Sequence, residues 1–421
     1  MSSLPAGFLP ASLKDRPERL TFLTYAAAVS VIMVSIAASQ ILLATAIGAV
    51  LWLWKRRGMK LYWWPPIIWP LLAFCIWTVF TALVSANVLR NLTISKKFFL
   101  YLIIPLTPIV LRGKGSVTWV YRGVFATASL LCLVGIAQFA MDPDRGLLDR
   151  ISGFMGHWMT FSGLLMLVLV ALSAFIACRG WRHQRWVVPM IGLLIASLVL
   201  SETRNAWLGA VAGILVVLLV GKPRATPLFL ALVLALYLVS PRIIKQRLSS
   251  GWDLADPNTS NHVELFQTAF RLIRDNPWVG VGPRNVSRAA LLYRGSRAWP
   301  DWLYQHMHNN ILEIAAERGI PGLILWLWLM VQLARDACRV LRESGGFSRG
   351  GQSAAGEARL ASLAALGALA ALLVAGMFEY NFGDSEVLTL FLFMVSAPYS
   401  FLTQEDRPVA DQALRNTASG L

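Results

Sequence analysis

Apolar residues in this chain fall into long blocks separated by short polar breaks, and the blocks carry no strand-like alternation. They recur near 21–38, 40–54, 66–85, 98–111, 118–140, 159–178, 186–201, 205–220, 226–240, 320–341, 359–378 and 386–403. At about 1.5 Å per residue, about 20 helical residues cross a hydrocarbon layer of about 30 Å, and the shorter blocks need their flanks to do so. The pattern predicts an all-α, polytopic membrane helix bundle of about twelve transmembrane helices. The first block follows Lys14, Arg16 and Arg19 and precedes Ala37-Ala38-Ser39, so it has the outline of a cleavable leader. Its long lead-in and the block that follows at once favour an uncleaved first helix.

One long polar interval, 241–319, interrupts the series and divides the chain into 1–240 with nine spans, the loop, and 320–421 with three spans and a tail, all within one membrane domain. The loop has its own periodicity. Asn261-x-x-Glu264 offers an N-cap with an acid three positions on. Val263, Phe266, Phe270 and Ile273 then recur at helical spacing, opposite Glu264, Gln267, Arg271 and Arg274. This predicts an amphipathic helix lying on the membrane or on the bundle, stopped by Asn276-Pro277. A second short helix is predicted from Asn309 to Arg318, ended by Gly319, with Pro321 opening the next span. A small Gly/Ser-rich loop lies near 344–356.

Composition agrees with a lipid environment. Hydrophobic residues make up 57% of the 421 and charged residues 14%, well below the roughly 25% charge of soluble domains. Several of the 17 Trp residues (Trp52, Trp54, Trp63, Trp64, Trp181, Trp186) stand at block ends, where amphipathic rings meet headgroups. Cys75, Cys132, Cys178 and Cys338 lie in or beside apolar blocks without metal spacing, and read as packing residues. The net charge of +16 resides mostly between spans, where it meets anionic membrane lipids, so nucleic acid is not an expected partner. With the long loop set aside, twenty-one Lys/Arg fall in the breaks on the side of the N-terminus and six in the breaks on the other. By the positive-inside rule both termini are cytoplasmic and the long loop faces outward.

Candidate chemistry gathers on that outward side. Arg204, in Ser201-Glu202-Thr203-Arg204-Asn205, is wedged between two spans, which suits either a headgroup contact or a ligand site. Arg150 opens Arg150-Ile151-Ser152-Gly153-Phe154, where a plain turn is an equally good account. Gly280 and Gly282, in Trp278-Val279-Gly280-Val281-Gly282-Pro283-Arg284, suit either backbone N–H groups presented to an anion or, as the default, a tight structural turn; with no strand-and-helix unit following, they make no dinucleotide site. Asp142-Pro143-Asp144 has the outline of a cation-binding acid pair, but a proline-centred turn explains it better. The sharpest feature is His306-Met307-His308-Asn309-Asn310, since imidazole exchanges protons near neutral pH. A metal at the two histidines lacks an obvious third ligand, and i, i+2 neighbours do not share a helix face.

His308-Asn309, nine residues from Asn310 to Arg318, then Gly319 and Gly322, resemble the motif of the O-antigen ligase and polymerase superfamily. Thr203-Arg204-Asn205-Ala206-Trp207-Leu208-Gly209, the turn 276–283 and Arg150–Phe154 support the resemblance in order and spacing. It implies a GT-C-like fold in a bacterial inner membrane, with an active site facing the periplasm. It also implies glycan transfer from an undecaprenyl diphosphate-linked donor to lipid A–core. In these terms His308 is the catalytic histidine, and Arg204 and Arg150 bind the diphosphate. Similar proteins often carry arginine four positions before the aromatic matching Phe266; this chain has His262, so His262 or Arg284 takes that place.

A diphosphate is already an activated leaving group. The chain then need supply only cationic stabilisation, for which arginine forks suit phosphate oxygens, and a base for the acceptor hydroxyl. Inverting displacement without a metal or other cofactor is expected. Polymerase and protein O-oligosaccharyltransferase are the neighbouring alternatives. A transporter would need ionisable residues deep in mid-span, which 205–220 and 226–240 lack.

Overall fold

Inside a bilayer every backbone N–H and C=O must find a partner within the protein, and a helix achieves this locally. The computed structural model describes residues 15–57, 65–112, 114–141, 150–180, 184–240, 242, 245–246, 257–293, 301–345 and 354–402. Helices occupy most of that length and no strand occurs among the described residues. In order they are α1 (Arg16–Val31), α2 (Ile36–Arg57), α3 (Ile68–Leu83), the irregular run α4 (Val88–Val110), α5 (Ser116–Met141), α6 (Trp158–Arg179), α7 (Val187–Leu200), α8 (Arg204–Gly221), α9 (Thr226–Val239), α10 (Pro257–Asp275), α11 (Val286–Tyr293), α12 (Asn310–Glu343), α13 (Ala354–Ala375) and α14 (Ser385–Ser396).

Among the described residues, eight helical segments are long and apolar enough to cross a membrane: α2, α4, α5, α6, α8, α12, α13, and α14 with its extension to Leu402. This is the make-up of a multi-pass membrane protein. Helices also cover the four other predicted blocks, but α1, α3, α7 and α9 are shorter. Trp52, Trp54 and Trp186 are exposed at helix ends, as interfacial rings should be, whereas Trp63, Trp64 and Trp181 lie outside the described residues. The four cysteines are free.

Helix α6 forms the axis of the bundle, with a nearly continuous buried surface from Phe161 to Ala177. Helices α8 and α13 pack against it and against each other along a seam of small residues. A Cβ at Gly213 would come within 2.7 Å of Gly367 O, and one at Gly209 within 2.8 Å of Ala371 O. Such a seam lets backbones approach closely where lipid supplies no hydrophobic drive for helix pairing.

The segment 257–318 carries a second, small core. Leu265, Ala269 and Leu272 of α10 meet Val286 and Ala290 of α11, Leu303, Tyr304 and Met307, and Leu312 and Ala316 of α12. One expectation for α10 needs correction. The helix begins at Pro257, so Asn261 lies inside it, consistent with the fixed φ of proline at a first helical position. The face packed on the protein is the one that carries Glu264, which leaves the predicted apolar stripe for the membrane, one of its two expected places. Glu264 is buried and accepts from Tyr304 Oη and Thr268 Oγ1 (both 3.2 Å), while Val263, Phe266 and Phe270 are exposed. The helix has two apolar stripes, and periodicity alone favoured the bulkier one. In a membrane protein an exposed apolar stripe can be covered by lipid.

Helix α12 is broken at Gly319, whose φ of 71° and ψ of 178° lie in a region open essentially to glycine. The break frees the last carbonyls of the 310–318 turns. The turn after α10 takes them up: Val281 N donates to Ala316 O (2.9 Å) and Gly282 N to Glu317 O (3.0 Å). Trp77 Nε1 donates to Arg318 O (2.8 Å), and Ile320 N donates back to Pro277 O (2.8 Å). The N–H groups of the glycine turn are thus engaged in holding the kink. A Cβ at Gly319 would collide with the Trp278 carbonyl. Gly319→Ala is expected to destabilise the protein by about 1–3 kcal/mol from backbone strain alone. Thermal unfolding in detergent checks this: an unchanged midpoint would mean the kink does not need glycine.

Candidate functional site

The site forms where the start of α12 meets the turn between α13 and α14. Asn309 caps α12, its Oδ1 accepting from Ile311 N (2.8 Å) and Leu312 N (3.0 Å), while its Nδ2 donates to Met377 O (2.9 Å). Asn310 N donates to Gly376 O (2.6 Å), Asn310 Nδ2 to Asn381 Oδ1 (2.6 Å), and Phe382 N to Asn310 Oδ1 (3.1 Å). This stitching brings His308 against Glu379, with His308 Nδ1 2.9 Å from Glu379 Oε2. The two asparagines are therefore the fasteners of the pair.

Glu379 is buried, and burial pushes its carboxyl upward. The hydrogen bond and charge of His308, the charge of His306 and the Tyr380 N–H outweigh burial and hold it below the usual glutamate range. An ionised carboxylate only accepts, so His308 Nδ1 carries the proton and Nε2 is the nitrogen left for a substrate. The backbone of His308 has φ of +45°. Among the described residues, two other non-glycine positions have positive φ, Glu202 (49°) and Arg284 (63°), and both lie in segments singled out by sequence. Such strain clusters where surrounding structure enforces a functional geometry.

Two further imidazoles adjoin the pair. The rings of His306 and His262 lie 4.0 and 6.0 Å from that of His308, centroid to centroid. His306 Nε2 is 3.7 Å from Glu379 Oε1. Burial, then the His308 charge, pushes His306 down to about 4, so at neutral pH this approach is not an ion pair. Burial also lowers His262, aided by the charges of His308 and Arg204. His157, which caps α6 through its bond to Met159 N (3.2 Å), is likewise lowered by burial, with Arg150 and His308 adding to it and Glu379 and Asp384 opposing.

Arg204 opens α8, and its charge adds to the lowering of His262. Arg150 stands over the Trp158 ring (5.2 Å), which stacks on His157. The Arg150 turn is pinned by Gln138, which donates to Gly153 O (2.7 Å) and accepts from Gly153 N (2.9 Å). Arg284 is exposed and tied elsewhere: its guanidinium donates to Thr93 Oγ1 (2.7 Å), its N–H to the Glu317 carboxylate, and its charge acts on Lys97. Of the two candidates for the third cationic place, His262 is the one brought to His308. Gly280, Gly282, Gly319 and Gly322 serve the kink below the site, where a Cβ at Gly322 would strike Arg318 Cβ. Asp142 and Asp144 lie outside the described residues.

Residues 189–327 match the O-antigen ligase family, a segment that includes Arg204, His262, Arg284, His308, Gly319 and Gly322. The chain is O-antigen ligase-like. Its curated relatives include proteins of Rickettsia felis and Rickettsia prowazekii whose names propose polysaccharide ligase activity. They are 26% identical over 218 residues and 23% identical over 285 residues, covering 48% and 63% of this chain. The alignments span 53% and 67% of those proteins, so this chain matches about half the length of the first and two thirds of the second. Arg150, His157 and Glu379 lie outside the family-matched segment, and the fold brings Glu379 against His308.

Three residues were missed in the sequence. Glu379 stands 71 positions from His308. The available signal was an acid following an uncharged stretch, 360–378, at the end of an apolar block. His157 stands three residues beyond the Arg150–Phe154 motif and has no signal of its own. His306 was set aside with the metal reading, on an argument about helix faces that does not hold, because both histidines precede the helix.

Proposed function

We propose that this chain transfers a glycan from an undecaprenyl diphosphate-linked donor to a hydroxyl of lipid A–core on the outward, periplasmic side of a bacterial inner membrane. The observation that supports the reading is the His308–Glu379 pair at 2.9 Å, with the His262 ring 6.0 Å from that of His308. His308 Nε2 takes the proton of the acceptor hydroxyl as its oxygen attacks the anomeric carbon. The bond from that carbon to the diphosphate oxygen breaks, its electron pair leaves with the diphosphate, and configuration inverts. Arg150 and Arg204 stabilise the departing charge, and His262 lines the same place. The guanidinium groups supply the positive charge that a metal otherwise would, so transfer needs no metal or other cofactor. Twelve spans with both termini cytoplasmic set this site outward.

Reconstitution with a lipid-linked glycan, with or without lipid A–core, tests the reading. Product on lipid A–core supports it; glycan ladders without lipid A–core would reassign the chain to polymerisation, and dependence on added magnesium would remove the metal-free mechanism. Arg204→Ala removes a charge-assisted contact worth about 1.5–3 kcal/mol, so donor affinity is expected to fall about ten- to hundredfold. Donor binding at wild-type strength in R204A would exclude Arg204 from the diphosphate.

A further inference from the structure

His306, His308 and Glu379 each offer one ligand atom, and these atoms lie within 4.8 Å of one another. We propose that they form a capture site for a zinc-class divalent ion, and that the captured ion silences His308. Two imidazoles and a carboxylate are a donor set suited to zinc, with a fourth position open to water. Bonds of about 2.0–2.2 Å at tetrahedral angles set neighbouring ligand atoms about 3.4 Å apart. His308 Nδ1 lies 2.9 Å from Glu379 Oε2 and His306 Nε2 lies 3.7 Å from the other oxygen, Oε1, so rotating the carboxylate and drawing the rings together slightly completes the set. The ligands come from two turns already fastened by Asn309 and Asn310, so little ordering is needed. The histidine side chains are 30% and 19% exposed, which leaves a path for an ion.

Silencing follows from the proton count of imidazole. A neutral ring carries one N–H. Once the ion takes Nδ1, that proton resides on Nε2, and no lone pair is left to accept the acceptor's proton. The ion also holds the carboxylate that oriented the ring. Binding stands on the geometry alone, whereas silencing rests on the reading of His308 as the base.

Titration calorimetry of the full chain in nanodiscs, with zinc chloride and with magnesium chloride, tests the site. One zinc should bind and magnesium should not, since magnesium demands six hard oxygen-type ligands. His306→Gln and Glu379→Gln should each weaken zinc binding at least about tenfold, a comparison that separates this site from the free cysteines. Equal zinc affinity in wild type and both variants would overturn the site. In the transfer assay, zinc should inhibit wild type reversibly on EDTA addition, and whatever transfer H306Q retains should resist the same zinc. Uninhibited transfer at calorimetric saturation would overturn the silencing. Absence of transfer under every condition would overturn the proposed function and leave the calorimetric result standing.

Discussion

His308→Ala is expected to lower the turnover of lipid-linked glycan by about 10²–10⁴-fold, the usual contribution of a positioned general base. The loss should fall on the chemical step, leaving donor affinity near wild type, because the proposed function gives the diphosphate contacts to Arg150 and Arg204. The backbone at this position complicates a simple substitution. With φ of +45°, His308 sits where most side chains are disfavoured, and alanine could lose activity through a rearranged turn. His308→Asn resolves this, since asparagine enters the left-handed region readily and has no basic nitrogen. Equal losses in both variants, with unchanged thermal midpoints, mark the imidazole itself. Retention of more than half of wild-type turnover in H308N would eliminate His308 as the base.

Glu379→Gln comes next in size. The replacement preserves shape but removes the acceptor-only group that fixes which His308 nitrogen carries the proton. Turnover should fall at least about tenfold and up to about 100-fold, the range for lost support of a functional imidazole. Donor KM should stay constant, and Glu379→Asp should recover part of the rate. A merely structural role would move stability and KM together and gain nothing from aspartate. In stability terms, a carboxylate with a lowered folded-state value contributes above its unfolded value. That contribution fades as pH falls through the lower, folded one, so E379Q should flatten this acid limb of the unfolding midpoint.

The site candidates that the sequence offers share one property: their signals are local. His308-Asn309 with Gly319 and Gly322, Arg204 at a span junction and Arg150 before a glycine turn can each be read within a dozen positions. The helical blocks are legible for the same reason, because a periodic apolar run states its own length. Glu379 had no local claim, since its importance comes from α13 ending beside the start of α12, and no spacing rule specifies which helix ends abut. Helix α10 is a different case. Its existence was written in its periodicity, but two stripes competed for burial, and the neighbours that decided the matter, Tyr304 and Val286, come from later in the chain. Glu317 and Arg318 read as an ordinary polar pair on a short helix; both are buried, 2.5 Å apart, with Arg318 Nε donating to Thr78 Oγ1 (3.0 Å). Only the kink explains why charges there are paired instead of exposed.

The stitching of Asn309 and Asn310 to residues 376–381 carries a mechanical consequence. Bilayers of different thickness tilt helices by different amounts, and residues on separate helices would slide past each other as the tilt changes. Here His308 and Glu379, the pair to which the proposed function gives the proton, are lashed together, so such tilting carries them as one unit. The chemistry is thereby insulated from acyl-chain length, and variation in the surrounding membrane falls on the unlashed helices instead.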